Sequence, residues 1–416
     1  MSSAKPLIDP EPAQSIVQLG RQAILNRDLT VHGYEILYRS AQHDSSFRVG
    51  ADQMSSRSIL NTFIEVGIDR VVGDHRAFVN LTRPFFTELP ALPIEHDRLV
   101  LELLEDIEVD DALVEGVQKL RAQGYRIALD DYRFDPRWAP VLPHVDIVKV
   151  EVDDAQLPVI ADAMGALREH GALLLAEKVE DRHQFDTLAE LGFDLFQGFF
   201  FARPEIVEQP RLSNNASVIL RLISRINDPD VHMAELVDLI THDPALSYKI
   251  LRYVNSPASG ILQEVRSIHQ AVVLLGLGTI RAWTTLLAMS AFKDKPLELC
   301  NLALVRANVC ERLARSAGLG DAHEAYTVGL LSILEALLDM PMEKLLAELK
   351  LPDQLTLAIV HRGGVYGSLL NCAIALERAK WDAADEIGLA AGELVEIYAD
   401  STEASFRTLH ELAEMR

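Results

Sequence analysis

Short β-branched or apolar runs recur through the first half of this chain. Each stops at, or passes through, a polar side chain suited to metal or phosphate chemistry. In order they read YEILYR with Glu35, FVNLT with Asn80, VLELLE with Glu102, IALDD with Asp130 and Asp131, IVKVE with Lys149, LLLAEKVE with Glu177 and LFQGFF with Gln197. Segments of helical period separate them, among them DDALVEGVQKLRAQG and DRHQFDTLAELG, each opening on an Asp placed to cap a helix. Such alternation specifies parallel βα units. With two early runs at residues 15–24 and 30–38 the strand count reaches about eight, enough to close a barrel. Because a βα barrel builds its active site from the C-terminal ends of its strands, the polar row is expected to converge on one mouth. The connections from Thr82 to Asp97 and from Tyr132 to His144 are too short for a full helix. The barrel is therefore expected to be trimmed, with sides that need cover from elsewhere.

Glu35, Asn80, Glu102, Asp130, Asp131 and Glu177 offer hard oxygen donors, a set that suits Mg²⁺ or Mn²⁺ rather than zinc. A pair of such ions could activate a water and clamp a phosphodiester oxygen. Lys149 could neutralise charge or orient the attacking water. Arg39, four residues beyond Glu35 on one strand, shares its face and could pair with a phosphate. A single polar residue at a strand end is most often solvated; a series of them at successive strand ends is costly to hold without a metal or a ligand.

The texture changes after ARPEIVEQPRLSNNAS, where proline and charge mark a linker around residues 203–215. From about Ser217 apolar residues recur at helical spacing almost to the end, which reads as an all-helical bundle of roughly ten helices. The formal net charge of -23, with no basic cluster, argues against duplex nucleic acid as a partner. Cys300, Cys310 and Cys372 lack metal-ligand spacing and read as buried thiols of a reducing compartment. With no apolar signal core in MSSAKPLIDPEPAQ and no run of membrane-spanning length, the expectation is a cytoplasmic protein with no membrane insertion.

The first-half series resembles the EAL domain, the trimmed barrel that hydrolyses cyclic di-GMP in bacteria. Glu35-Ile36-Leu37 stands where that family has Glu-Ala-Leu, and VNLT, LELLE, ALDD, VKVE, AEKVE and QGFFFARP follow in the family's order. The resemblance implies metal ligands at Glu35, Asn80, Glu102 and Asp130 with Asp131 close by, and a role at the water for Lys149 and Glu177. It gives Gln22, Arg39 and Gln197 to nucleotide contact or to holding the site. One loop departs. The family's Phe-Gly-Thr-Gly after the Asp pair is here Tyr132-Arg133-Phe134-Asp135, and the Gly of Ala-Glu-Gly-Val-Glu is Lys178. With those glycines goes easy access to positive φ, so the expectation is a catalytically impaired site.

LITHDPALSYKILRYVNSPASG and SIHQAVVLLGLGTIR resemble the HDOD domain, a helical relative of HD phosphohydrolases that has lost their metal site. Ser332-Ile333 stands where a true HD enzyme has His-Asp, so no cofactor is expected there. His242, His323 and His361 read as surface or capping residues, and Asn255 and Ser256 as caps between helices. The divisions expected are a flexible N-terminus over 1–12, an EAL-like barrel over 13–208 and an HDOD bundle over 209–416. The resemblance implies a cyclic di-GMP signalling regulator that binds cyclic di-GMP or pGpG at the barrel and a signalling protein at the helical half. An active phosphodiesterase and a scaffold that binds no nucleotide are the alternatives.

Overall fold

The computed structural model describes residues 17–40, 67–88, 95–152, 157–202, 223–228, 231–241, 247–289 with short breaks between 249 and 264, 295–349, 351–380 and 387–414. The expected linker, His242, Ser256 and the N-terminal segment lie outside these residues. Eight strands close a barrel in chain order. They are β1 (Val17–Asn26), β2 (Val31–Ser40), β3 (Arg76–Leu81), β4 (Leu99–Leu103), β5 (Arg126–Leu129), β6 (Ile147–Glu151), β7 (Leu173–Glu177) and β8 (Leu195–Gln197). Between them lie α1 (Ile68–Val72), α2 (Arg83–Glu88), α3 (Asp111–Ala122), α4 (Leu157–Glu169) and α5 (Arg182–Leu191). The caps read from the sequence form: Asp110 accepts from Leu113 N at 2.9 Å and Asp181 from Gln184 N at 2.9 Å. The trimmed connection between β5 and β6 carries only two 3₁₀ turns, Pro136–Trp138 and Leu142–His144.

One expectation is corrected. The barrel is not wholly parallel, because β1 runs antiparallel to both β2 and β8. The cause is local. Asn26 N donates to Thr30 O at 2.8 Å and Leu29 N to Asn26 O at 3.0 Å, closing a tight turn with Leu29 at φ 63°. A turn that short can only reverse the chain, whereas parallel neighbours need a long crossover.

The barrel interior is a dry plug of Ile24, Phe78, Val100, Ala128, Ile147, Leu175 and Leu195. Gly33 takes the β2 place in this layer, and a Cβ there would lie 2.7 Å from the Phe78 ring. Side chains of a strand repeat inward every second residue. The next inward residue toward the mouth is therefore Gln22 on β1, Glu35 on β2, Asn80 on β3, Glu102 on β4, Asp130 just past β5, Lys149 on β6, Glu177 on β7 and Gln197 on β8.

The second half is helical among the described residues: α6 (Met233–Thr241), α7 (Ile268–Leu275), α8 (Leu277–Met289), α9 (Leu297–Ala317), α10 (Ala322–Leu331), α11 (Leu334–Leu338), α12 (Met342–Glu348), α13 (Asp353–His361), α14 (Gly364–Glu377) and α15 (Ala391–Glu414). It covers the barrel on the side of β1, β2 and α1. Helices α14 and α15 pack on β1, and α15 also packs on α1. Arg21 on β1 lays its guanidinium over the rings of Tyr34 and Phe406, 4.2 and 4.6 Å from their centroids. Beside it Tyr34 Oη donates to Glu298 at 2.8 Å, Asn301 donates to Glu298 at 3.0 Å, and Ser405 donates to Asn301 at 2.7 Å. This buried polar chain ties β2 to α9 and α15. Among the described residues, no helix is long and apolar enough to cross a membrane.

Candidate functional site

The inward layer above the plug gathers the expected residues around one ammonium. Lys149 Nζ stands 2.6 Å from Asp130, 2.9 Å from Glu102, 3.1 Å from Glu177 and 3.4 Å from Glu35. Lys149 and Glu102 have no exposed side-chain surface. Asn80 Nδ2 donates to Glu35 Oε1 at 3.1 Å; Gln197 Nε2 donates to Glu35 Oε2 and, at 3.1 Å, to Gln22 Oε1. The carboxamides thus fix Glu35 from two sides. Gln22 is brought into the same constellation through Gln197. Arg39 stands on β2 four residues beyond Glu35.

Burial raises the Glu102 carboxyl well above its ordinary range, against the pull of Lys149 and with Glu35 and Asp130 adding to the rise. Burial likewise lifts Asp130 to about 6 and Glu177 to about 8, with Lys149 again opposing. Burial favours the neutral form of Lys149, but the charges of Glu102, Glu35, Glu177 and Asp130 outweigh it and hold the ammonium well above its usual range. The metal-free site therefore keeps its lysine charged and shares protons among its acids near neutrality.

These residues fit a hard divalent cation in donor type. Glu102 Oε2 and Gln197 Oε1 are buried acceptors without a hydrogen-bond partner, which is what an oxygen-seeking ion would satisfy. Among the described residues no group of three or more acids, histidines or cysteines is placed as it stands to hold a metal ion. The acids are drawn instead onto the Lys149 ammonium, with which an entering cation must compete.

Above the layer opens a cavity of about 420 Å³, lined by Gln22, Glu35, Asp130, Asp131, Glu177, Lys178, Gln197 and Phe199 among others. Tyr132 and Arg133 are not among the residues that line it. Tyr132 is buried, its N–H donates to Lys149 O at 2.9 Å, and its ring meets Phe134 edge-on at 5.3 Å. Asp135 turns away to cap the following 3₁₀ helix, accepting from Arg137 N at 3.0 Å. Of the positions where the family has glycine, Lys178 holds φ 58° while Arg133 and Asp135 are not left-handed; Asp131 and Phe134 beside them hold φ of 42° and 59°. What sequence reasoning missed is Arg378, after α14, whose guanidinium lies 4.6 Å from the ring centroid of Phe199 at the cavity rim; no period or motif marked it.

In the helical half, Ser332 and Ile333 are buried. Arg306 grips Glu377 through two bonds of 2.9 and 3.1 Å and reaches Ser332 Oγ at 3.3 Å, while Ser332 donates to Gly329 O at 2.8 Å. A guanidinium and its carboxylate thus stand beside the position where the expected His-Asp pair is missing. Asn255 behaves as a cap: it accepts from Val265 N at 2.7 Å and donates to Val265 O and to Leu251 O, both at 2.8 Å. His323 opens α10, where its amide donates to Asp321, and His361 closes α13. The three cysteines are buried and free, and burial pushes the thiols of Cys310 and Cys372 up to about 12.

Family models give an EAL domain over residues 77–204 and an HDOD domain over residues 212–348. The cyclic di-GMP phosphodiesterase CdgJ of Vibrio cholerae is 33% identical over 374 residues, 88% of this chain and 86% of that protein. The chain belongs to the EAL–HDOD family. The uncharacterized protein YuxH of Bacillus subtilis is 31% identical over 402 residues, covering 93% of this chain and 97% of its own. Among solved structures, the calcium and cyclic di-GMP complex of BlrP1 from Klebsiella pneumoniae matches 47% of this chain and 58% of its own at 22% identity and a TM-score of 0.38. A standalone EAL protein of Vibrio cholerae O395 matches 46% of this chain and 93% of its own at 19% identity and a TM-score of 0.35. The EAL match begins at residue 77, so β1 and β2, with Gln22 and Glu35, lie before it.

Proposed function

We propose that this EAL–HDOD protein is a cyclic di-GMP signalling protein whose barrel binds the dinucleotide and, with Mg²⁺ or Mn²⁺, hydrolyses one phosphodiester bond to give pGpG. One observation carries the reading: the inward layer above the plug gathers Glu35, Asn80, Glu102, Asp130, Lys149, Glu177 and Gln197, and of these Glu35, Asp130, Glu177 and Gln197 line one open cavity. The likeness to CdgJ over 88% of this chain and 86% of that protein, whose name records that activity, supports it.

In this reading Glu35, Asn80, Glu102 and Asp130 hold the cation, with Asp131 at its side. The bound ion would polarise the phosphoryl oxygen and lower the pKa of its water. Lys149 donates to the attacking water or to the phosphoryl oxygen, offsetting charge that develops on phosphorus. Glu177, 3.1 Å from Lys149 Nζ, accepts the water proton in its ionised form. Oxygen from water bonds to phosphorus as the bond to the ester oxygen breaks, and that oxygen leaves with a proton. Gln197 positions Glu35 and Gln22, and Arg39 pairs with a phosphate. Residues 13–208 form the barrel unit and residues 209–416 the helical unit, which offers helix faces to a signalling protein.

A second reading, binding without turnover, is favoured by one observation. The Lys149 ammonium lies within 3.4 Å of the carboxylates that a cation would need, and the loop beyond Asp130 holds left-handed residues without glycine. Incubation with cyclic di-GMP and Mn²⁺, followed by chromatography for pGpG, separates the two. Product formed by the unaltered chain and lost in Glu35→Ala supports hydrolysis. Calorimetric binding without product supports the second reading, and no binding with or without metal removes both.

A further inference from the structure

We infer that Lys178 is a specificity-determining contact of the nucleotide cavity, an ammonium that receives a phosphate of the bound dinucleotide. The inference rests on the functional reading above. Lys178 directly follows Glu177 at the end of β7 and is, among the described residues, the only cation that lines the cavity. The other titratable groups of that lining are the acids Glu35, Asp130, Asp131, Glu177 and Glu180. The Lys149 ammonium beneath them is enclosed by carboxylates and has no exposed side-chain surface. An anionic dinucleotide would meet a wall of its own sign unless rim cations received it, and of these Lys178 lines the cavity while Arg378 stands behind Phe199.

The position is costly to fill with lysine. Its φ of 58° lies in the left-handed region, which glycine enters freely and residues with a Cβ enter only against steric strain. An outlier of this kind at the edge of a polar cavity argues for a role that repays the strain. The surrounding backbone also fixes where the residue stands. Val179 N donates to Gln197 O at 3.0 Å, and a Cβ on Gly198 would lie 2.0 Å from Val179 O, so the 178–179 segment is pressed against the end of β8. Lys178 Nζ meets Glu151 at 2.6 Å, across the ends of β6 and β7, while the side chain stays 63% exposed. An exposed pair of this kind is weak and exchangeable, so the ammonium is held at the rim yet available to a phosphate.

The test is calorimetric titration of the full chain with cyclic di-GMP in Ca²⁺, comparing the unaltered protein with Lys178→Gln, Lys178→Gly and Lys178→Arg. Loss of one charge-assisted contact at a partly exposed rim should weaken binding by about three- to tenfold in the first two variants, with Arg restoring it. The unaltered chain should also lose more affinity with added salt than Lys178→Gln does. Lys178→Gly separates binding from folding, because relief of the left-handed strain should raise its melting midpoint even as its affinity falls. Equal affinity and equal salt dependence in all four proteins overturn the inference and leave the functional reading standing. No binding by the unaltered chain overturns both.

Discussion

Lys149 is the residue on which the site turns. It is the internal counter-cation of the metal-free barrel, touching Asp130, Glu102, Glu177 and Glu35. Lys149→Met should therefore destabilise the metal-free chain by roughly 3 kcal/mol near neutral pH, since breaking one side of a buried ion cluster leaves uncompensated charge. Urea denaturation checks this; a midpoint equal to that of the unaltered chain would show that the ammonium neutralises nothing. The proton affinities of the acids give a second outcome. Glu102, Asp130 and Glu177 are all raised in the fold, the last two to about 6 and about 8. Between their ordinary values and those raised values the fold binds protons that the unfolded chain has released. Their contribution is thus fully present below about pH 4 and is lost as pH climbs toward about 8. In EDTA the melting midpoint should fall from about pH 5.5 to about pH 8.5, and Mn²⁺, which needs the ionised acids, should oppose that fall. A midpoint that rises with pH in EDTA would refute the assignment. The identity of these residues was legible because a period of two ties each one to an apolar plug residue of its own strand. That Lys149 would collect the acids was not legible, because the stagger between strands leaves no trace in the order of residues along any one of them. Nor was the path of the loop at Tyr132–Asp135 legible: its left-handed residues are Asp131 and Phe134, beside the positions that lost glycine rather than at them.

At the scale of elements, the β1–β2 hairpin faces two ways. Gln22 and Glu35 point into the barrel, while their chain neighbours Arg21 and Tyr34 meet the helical half. The strands were readable from alternation, but the antiparallel start was not, because the turn around Leu29 contains no glycine or proline to announce it. Nor could alternation reveal that Tyr34 bonds a residue 264 positions away. Buried Glu298 accepts from both Tyr34 and Asn301, so Glu298→Ala leaves the Tyr34 hydroxyl without its acceptor, while Asn301 keeps its 3.1 Å bond to Tyr34 Oη. Its expected cost is about 2 kcal/mol of unfolding free energy, whereas Glu298→Gln, which keeps an acceptor in place, should lose less than half of that. Guanidinium unfolding curves of the two variants test the hydrogen-bond account; equal losses would point to packing instead.

At the scale of the molecule, the two halves share one hydrophobic core, which runs from Leu19, Tyr34 and Val72 to Leu376, Tyr398 and Ala399. The texture change after ARPEIVEQPRLSNNAS reads as a barrel followed by a helical bundle, yet composition cannot say whether two units fold apart. The contacts say that they do not. Gly20 lies so near the end of α14 that a Cβ would stand 2.8 Å from Leu376 O, and Phe406 of α15 packs on Gly73, where a Cβ would stand 3.1 Å from the ring. Arg70 of α1 binds Glu396 and Asp400 of α15 at 2.9 and 2.7 Å. Cutting the chain after residue 208 would expose the outer face of β1 and α1 and leave Arg21 without the Phe406 ring and Tyr34 without Glu298. Each apolar side chain newly exposed forfeits roughly 1.5–3 kcal/mol, a large share of the 5–15 kcal/mol that typically holds a domain. The barrel of residues 1–208 should therefore aggregate or bind hydrophobic dye, and the full chain should melt in one transition seen alike by calorimetry and by tryptophan fluorescence, which reports from Trp138 in the barrel and from Trp283 and Trp381 in the second half. Two separated transitions, with the lone barrel as stable as the first of them, would mean that the helical half merely rests on the barrel. One shared transition would mean that whatever docks on the helical half acts on the same folded unit that holds Glu35 and Lys149.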